Sequence, residues 1–295
     1  MYSNHPKHEQ LIANLEKELI LPKDGLNPIY TQLEEYAAES NPDTIQQGFL
    51  KDLQEPFQTL LSNYSRTITT IAIDFPVFFK SFSSTKKTVM VCAMDSLPPI
   101  PTSPFWKDKK VDFKENIGFW APFSLIENWQ NPTGSMKTNL PFFRALLQEY
   151  NLYVTDIYKV FFRLETQNGY TTSNALPSYT NLCDADGLNI HGKIVAKEVE
   201  IVNPVAIITL GNAARNTLLN LNTIPQYPVG WQDDVQSYLW GESTKIIASP
   251  HISGAANGAK SAILKNAMYG KLEGDYQNER LAKICIQKLR SLENT

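Results

Sequence analysis

The sequence predicts an α/β fold: three-layer α/β/α with a central, mostly parallel four-stranded sheet and an amino-terminal helical extension. Three observations carry this expectation. From Lys86 onward, short apolar runs alternate with segments of helical spacing, the pattern of parallel strands joined by crossover helices. Three of those runs end abruptly in a polar group, at Asp95, Asp156 and His251. Residues 1–85 show helical apolar spacing and none of these strand endings. The expected division is therefore an extension at 1–85 and an α/β domain at 86–295.

The elements follow in order. Leu11, Leu15 and Leu19 recur at helical spacing within residues 8–20. A second helix is expected near 29–39. A third is expected from Asp43 or Thr44 to about Tyr64, with Asp43 placed to cap it after Pro42. Thr88–Cys92 is a buried strand. A long proline-rich loop follows from Ser96 to about Ser124, holding Phe105, Trp106, Phe113, Phe119, Trp120 and Phe123. A loop of that length in a compact domain is usually functional or disordered, and its aromatic content argues against disorder. A helix spans 139–150, with Pro141 near its first turn. Tyr153–Asp156 is a strand, and a polar loop covers 166–189. A helix at 193–203, a strand at 205–210, a helix at 213–221 and a strand at 245–248 come next. Two closing helices occupy 256–269 and 276–292.

Composition narrows the class. Hydrophobic residues make up 42% and charged residues 19% of 295, an ordinary globular balance. No apolar run approaches the roughly 20 residues that span a bilayer. The polar amino terminus lacks a signal-peptide apolar region, so a cytoplasmic protein without membrane contact is expected. Cys92, Cys183 and Cys285 are isolated, which suggests reduced thiols. Three cysteines cannot make a four-cysteine iron–sulfur cluster, and no Cys/His group has zinc spacing, so neither metal nor cofactor is expected. The net charge of −3 does not advertise a polyanionic partner. Local basic clusters exist at Lys86–Lys87, at Lys107, Lys109 and Lys110, and at Lys260 and Lys265; each is a phosphate-contact candidate or simply a solvated face.

Four segments carry the chemistry. Val89-Met90-Val91-Cys92-Ala93-Met94-Asp95-Ser96-Leu97-Pro98-Pro99 is a strand running into an acid. Leu152-Tyr153-Val154-Thr155-Asp156-Ile157-Tyr158-Lys159 is another. Val205-Ala206-Ile207-Ile208-Thr209-Leu210-Gly211-Asn212-Ala213-Ala214 is a strand, a glycine turn and a helix start. Ile246-Ile247-Ala248-Ser249-Pro250-His251-Ile252-Ser253-Gly254 is a strand running into histidine. In an open parallel sheet, ligands bind beyond the carboxyl ends of the strands. Two acids and a histidine gathered there could stabilise a sugar cation and a departing anion.

These four segments, in this order, resemble the uracil-DNA glycosylase superfamily over residues 86–270. In that family a strand ends in a catalytic Asp or Asn, a middle strand ends in a base-reading Asn, a strand-Leu-Gly-x-x-Ala segment follows, and a His-Pro-Ser motif comes late. The resemblance implies that Asp95 stabilises the oxocarbenium-like sugar or orients water. The other reading of Asp95 is a turn or helix-cap aspartate. It implies that His251 donates a hydrogen bond to the departing base, although here the proline precedes the histidine; otherwise His251 is a structural residue of a βα turn. Met94 would supply a backbone amide near the base. Phe119, Trp120 and Phe123 would stack on a flipped base, or else bury the long loop. Ser253 would contact a phosphate or cap a helix. Lys260 is a DNA-contact candidate. No large apolar wedge follows His251, and Asn257 is the sizeable residue left for that place.

Two departures shape the expected substrate. Asp156 stands where uracil readers have Asn. An ionised Asp only accepts hydrogen bonds, which suits the N4 amino group of cytosine; alternatively Asp156 pairs with Lys159 or caps a turn. Leu97 stands where a tyrosine blocks the C5 side of the pyrimidine in uracil-specific relatives, so a C5 substituent could enter. The expectation is a monomeric, monofunctional DNA glycosylase that removes C5-modified (hydroxymethylated or glucosylated) cytosine from phage DNA and leaves an abasic site. A uracil-DNA glycosylase of base-excision repair and a catalytically inactive DNA-binding module are the alternatives.

Overall fold

The computed structural model describes residues 5–19, 26–27, 30, 68–74, 76–79, 83–95, 116–119, 132, 134–166, 169–172, 189–221, 235–240 and 243–293. They are mixed α/β and fall into two compact units. The first draws on residues 1–75, 95–127 and 158–201; the second on 76–94, 128–157 and 202–295.

The first unit holds a four-stranded sheet. Its strands are β1 (Ile68–Ile73), β4 (Asn116–Phe119), β6 (Val160–Thr166) and β7 (Gly169–Thr172), in the order β4-β1-β6-β7. β1 pairs with β4 in parallel and with β6 antiparallel, and β6 and β7 form a hairpin. Helix α1 (His8–Glu18) buries Leu11, Ile12 and Leu15. Helix α3 (Ile190–Val202) lies in this unit except for its last residue, Val202. It is tied to α1 by Asn14, whose amide donates to the Ile194 carbonyl, and by the Lys193–Glu18 ion pair. Asn203 stops α3 in the left-handed region at φ 50°, just before Pro204, as an asparagine at a helix end often does.

The second unit is built on a six-stranded mixed sheet. Its strands are β2 (Val77–Phe78), β3 (Thr88–Asp95), β5 (Asn151–Tyr158), β8 (Ala206–Leu210), β9 (Gln236–Trp240) and β10 (Thr244–Ser249). They lie in the order β2-β5-β3-β8-β10-β9. β3, β8 and β10 are parallel neighbours. Asn151 N–H donates to the Lys87 carbonyl where β3 and β5 both open, so these two strands start side by side. The sequence places the four central strands correctly. The sheet is nevertheless six strands wide, not four, because β2 and β9 add antiparallel edges. Val89, Met90, Val91, Cys92, Ile207, Ile208, Ile246 and Ile247 are fully buried. Such near-continuous apolar runs are what a sheet covered on both faces requires.

Among the described residues, four α-helices belong to this unit: α2 (Met136–Glu149), α4 (Asn212–Leu221), α5 (Asn257–Leu264) and α6 (Gln277–Glu293). α2 and α6 pack on each other and are joined by the Arg290–Glu149 pair at 2.8 Å. Pro141 sits deeper in α2 than the sequence suggests, because the helix begins at Met136. Among the described residues no helix is long and apolar enough to cross a membrane.

Several expectations are corrected. Strands β1 and β2 lie within the stretch read as helical, β4 lies within the expected 96–124 loop, and β7 within the expected 166–189 loop. The expected single helix at 256–269 is broken into a 3-10 turn at Gly254–Ala256, α5, and a second 3-10 turn at Ala267–Tyr269. The expected helix at 43–64 lies outside the described residues, as does that at 29–39 apart from Tyr30.

Candidate functional site

Four strands adjacent in the six-stranded sheet, β5, β3, β8 and β10, carry the singled-out residues at their carboxyl ends. Asp156 is two residues from the end of β5, and Asp95 is the last residue of β3. Gly211 follows β8, and His251 stands two residues beyond β10. The parallel register Ser249↔Leu210 brings the ends of β10 and β8 level.

His251 has the best-defined surroundings. The residue is exposed, yet its ring is held. Ser253 N–H donates to His251 Nδ1 at 3.1 Å, and Ser253 Oγ lies 2.7 Å from the same nitrogen. A backbone N–H can only donate, so Nδ1 must keep its lone pair there. The neutral ring then carries its proton on Nε2. Burial first, and the Lys260 charge second, hold the His251 imidazole below its ordinary range. Protonating Nδ1 would set two donors against each other, which opposes the cation in the same direction.

Gly211 forms the other wall. Its N–H donates to the Ser249 carbonyl at 2.8 Å. Its φ is +95°, and a Cβ there would come within 3.3 Å of His251 Cβ. A side chain at 211 would thus be strained in its backbone and would crowd the histidine.

Asp156 is wholly buried, and Thr155 Oγ1 donates to its backbone carbonyl at 3.4 Å. Lys159, the alternative partner from sequence, gives its ammonium elsewhere: to Asp74 Oδ2 at 2.9 Å and Glu198 Oε2 at 2.8 Å. Met94 is half-buried on β3. Phe119 ends β4 in the four-stranded sheet of the first unit. Asp95 and Phe119 are described by backbone position alone. Leu97, Trp120, Phe123, Lys107, Lys109 and Lys110 lie outside the described residues.

Three basic candidates are placed away from the expected role. Lys260 is buried, and its three ammonium protons meet the carbonyls of Ile252 and Ser253 and the side-chain oxygen of Asn278, each at 3.0 Å. It therefore anchors the His251 loop and has no proton left for a phosphate. Sequence spacing does not distinguish an inward lysine from an outward one. Lys86 caps the carboxyl end of α2 through the Leu147 and Gln148 carbonyls. Lys87 pairs with Glu293 at 3.1 Å. Both stand where β3 begins, at the end opposite Asp95. Ser253 does not cap the following 3-10 turn, because its hydroxyl faces His251. Asn257 is exposed at the first turn of α5 and remains available.

Neither described cysteine is a poised nucleophile. Cys92 and Cys285 are buried, and burial pushes the Cys285 thiol up to about 12. Among the described residues no group of three His, Cys, Asp or Glu side chains is placed to hold a metal ion. Asn278, silent in the sequence, joins Lys260 in holding the His251 loop, through its hydrogen bonds to Lys260 and the Ile252 carbonyl. No protein-family model matches the chain, and no curated protein matches it.

Proposed function

We propose that this chain is a hydrolytic DNA glycosylase of the uracil-DNA glycosylase kind. Its target is a C5-modified cytosine, hydroxymethylated or glucosylated, in phage DNA. The observation that carries the reading is His251. It is an exposed histidine beyond the carboxyl end of a parallel strand of the mixed sheet, with Nδ1 committed to a backbone N–H so that Nε2–H is the donor. Such a donor suits an anion developing on a leaving base, and a neutral imidazole avoids protonating the ground state.

The proposed reaction is simple. A nucleotide leaves the stack and the C1′–N1 bond lengthens. Asp95 stabilises the positive sugar and orients water. Water adds to C1′, one of its protons ends on the base, and an abasic sugar remains. His251 Nε2–H supports the charge on the base while that bond breaks. Asp156 accepts from the cytosine amino group. Because Asp156 is wholly buried, a base reaches its carboxylate only by displacing what covers it. Leu97 leaves the C5 side open, and the Phe119, Trp120 and Phe123 rings supply stacking. Met94 contributes its backbone amide and Asn257 faces the DNA backbone, while the Ser253 hydroxyl stays on His251 Nδ1. The reading includes a three-layer α/β/α arrangement about the six-stranded sheet, a monomer, and a cytoplasmic setting. No cofactor takes part.

The test is alkali cleavage at abasic sites. Matched DNAs would carry uracil, cytosine, hydroxymethylcytosine or glucosylated hydroxymethylcytosine, with Asp95→Ala and His251→Ala as controls. The expected result is release from modified cytosine alone, reduced at least ~100-fold in either variant. Release from uracil alone would replace this reading with uracil repair. Binding that survives both substitutions, with no abasic product from any DNA, would mark a binding module.

A further inference from the structure

Lys260 and Asn278 converge on one peptide group. Ile252 O accepts from Lys260 Nζ at 3.0 Å and from Asn278 Nδ2 at 2.7 Å. Lys260 Nζ also reaches Ser253 O and Asn278 Oδ1. Asn278 Nδ2 extends the link to the Thr138 carbonyl at 2.8 Å and Asn139 Oδ1 at 3.3 Å, at the start of α2. Both residues are almost fully buried, at 3% and 2% exposure. Elements far apart in sequence, namely the first turns of α2 and α6 and the body of α5, thus hold the loop after β10.

The geometry matters because a trans peptide is planar. Ile252 C=O and Ser253 N–H belong to the same peptide and point in opposite directions. Two donors fixed on the carbonyl therefore aim the N–H at the other side, where His251 Nδ1 accepts it. We propose that Lys260 and Asn278 are positioning residues that set the ring tautomer of His251 by holding the Ile252–Ser253 peptide. The proposal rests on the glycosylase reading for its consequence in catalysis, but not for its effect on the ring. Among the described residues, Ser253 and Gly211 also stand against the ring and carry no charge, and Lys260 is the charged group that acts on it. The same cation opposes protonation of the imidazole, so geometry and charge work together.

Nitrogen NMR of the histidine rings, on the full chain, reads the tautomer and the titration directly. In the wild type the His251 ring should carry its proton on Nε2 down to pH values below the ordinary histidine midpoint. Lys260→Met keeps the stem and removes the ammonium. It should give a mixture of tautomers and move the His251 midpoint upward, toward the ordinary histidine value. On a modified-cytosine DNA, kcat should fall about tenfold or more, KM should change little, and the acid limb of the rate profile should follow the ring. Asn278→Ser removes one of the two donors on Ile252 O and should give a smaller change of the same kind; it carries the test if Lys260→Met does not fold. An unchanged tautomer and midpoint in the folded variants would overturn the proposal. A wild type that releases no base from any DNA but shows the tautomer change in the variants would sink the glycosylase reading and leave the positioning role standing.

Discussion

At the scale of single residues, His251 governs what can be tested with protons. Its imidazole is held below the ordinary value by burial and then by Lys260, and His5 is lowered to about 4 by burial and then by Lys7. A depressed histidine means that the unfolded chain takes up protons first as pH falls. Stability is therefore at its full value above the ordinary midpoint of about 6.5 and declines as pH drops from there toward the folded values. Chemical denaturation at pH 7.5, 6 and 5 should show this order, and His5→Gln should flatten it. The proposed glycosylase activity, which would need the neutral ring, should hold nearly level from pH 8 to 6.5 and fall only below that range. A rate that climbs as the solution is acidified would contradict the neutral-donor role. Gly211→Ala tests the wall opposite. The positive φ and the close His251 Cβ should cost about 1–3 kcal/mol, visible as a lowered Tm, and activity should fall with it.

Elements differ in how much they depend on distant partners. β3, β5, β8 and β10 are apolar runs with buried faces on both sides, and they are readable because a short run of that kind, bounded by turn residues, suits a covered strand. β1 is rich in β-branched Ile and Thr, a strand signal present in the sequence, yet it sits between helical-looking stretches and pairs with β4 and β6, at 116–119 and 160–166. β9 alternates in burial, which fits an edge strand, but its existence depends on β10 beside it. The first unit contains a tie that no pattern reveals. Lys159, at the β5–β6 junction, Asp74, just after β1, and Glu198, on α3, are all fully buried and ion-paired. Burial alone would lower the Lys159 ammonium, but Asp74 and Glu198 outweigh it and raise it above its ordinary value. Lys159→Met would leave two carboxylates inside without their shared cation. Equilibrium denaturation should register a loss of about 3–5 kcal/mol, and a loss below 1 kcal/mol would show that the triad is not a major tie.

On the scale of the whole molecule, the chain passes repeatedly between two units. It leaves the second unit at the end of β3 and again at the end of β5, next to two of the candidate site residues. Neither unit is a continuous stretch, and the boundary between 85 and 86 falls inside a segment of the second unit. A cut there removes β1 from the middle of one sheet and β2 from the edge of the other. A chain of 86–295 alone should lose hydrogen-exchange protection in β4, β6 and β7, while β8 and β10 keep theirs. Full protection of β6 in the truncated chain would show that β1 is dispensable.

The α/β class, the places of the four central strands along the chain, and the residues at their carboxyl ends are legible in the amino-acid sequence alone. Those features are local: a run of apolar side chains and the residue that stops it are written next to each other. The width of the sheet, the second sheet and the posture of His251 emerge only once the chain is folded. Each depends on groups far apart in the chain. An edge strand needs a neighbour, a buried lysine needs acceptors brought to it, and the ring proton of His251 depends on a peptide held by a lysine and an asparagine 18 residues apart. Hydrogen-bond partners at such separations leave no periodic trace, so Lys260 reads in sequence as a surface charge and Asn278 as nothing at all.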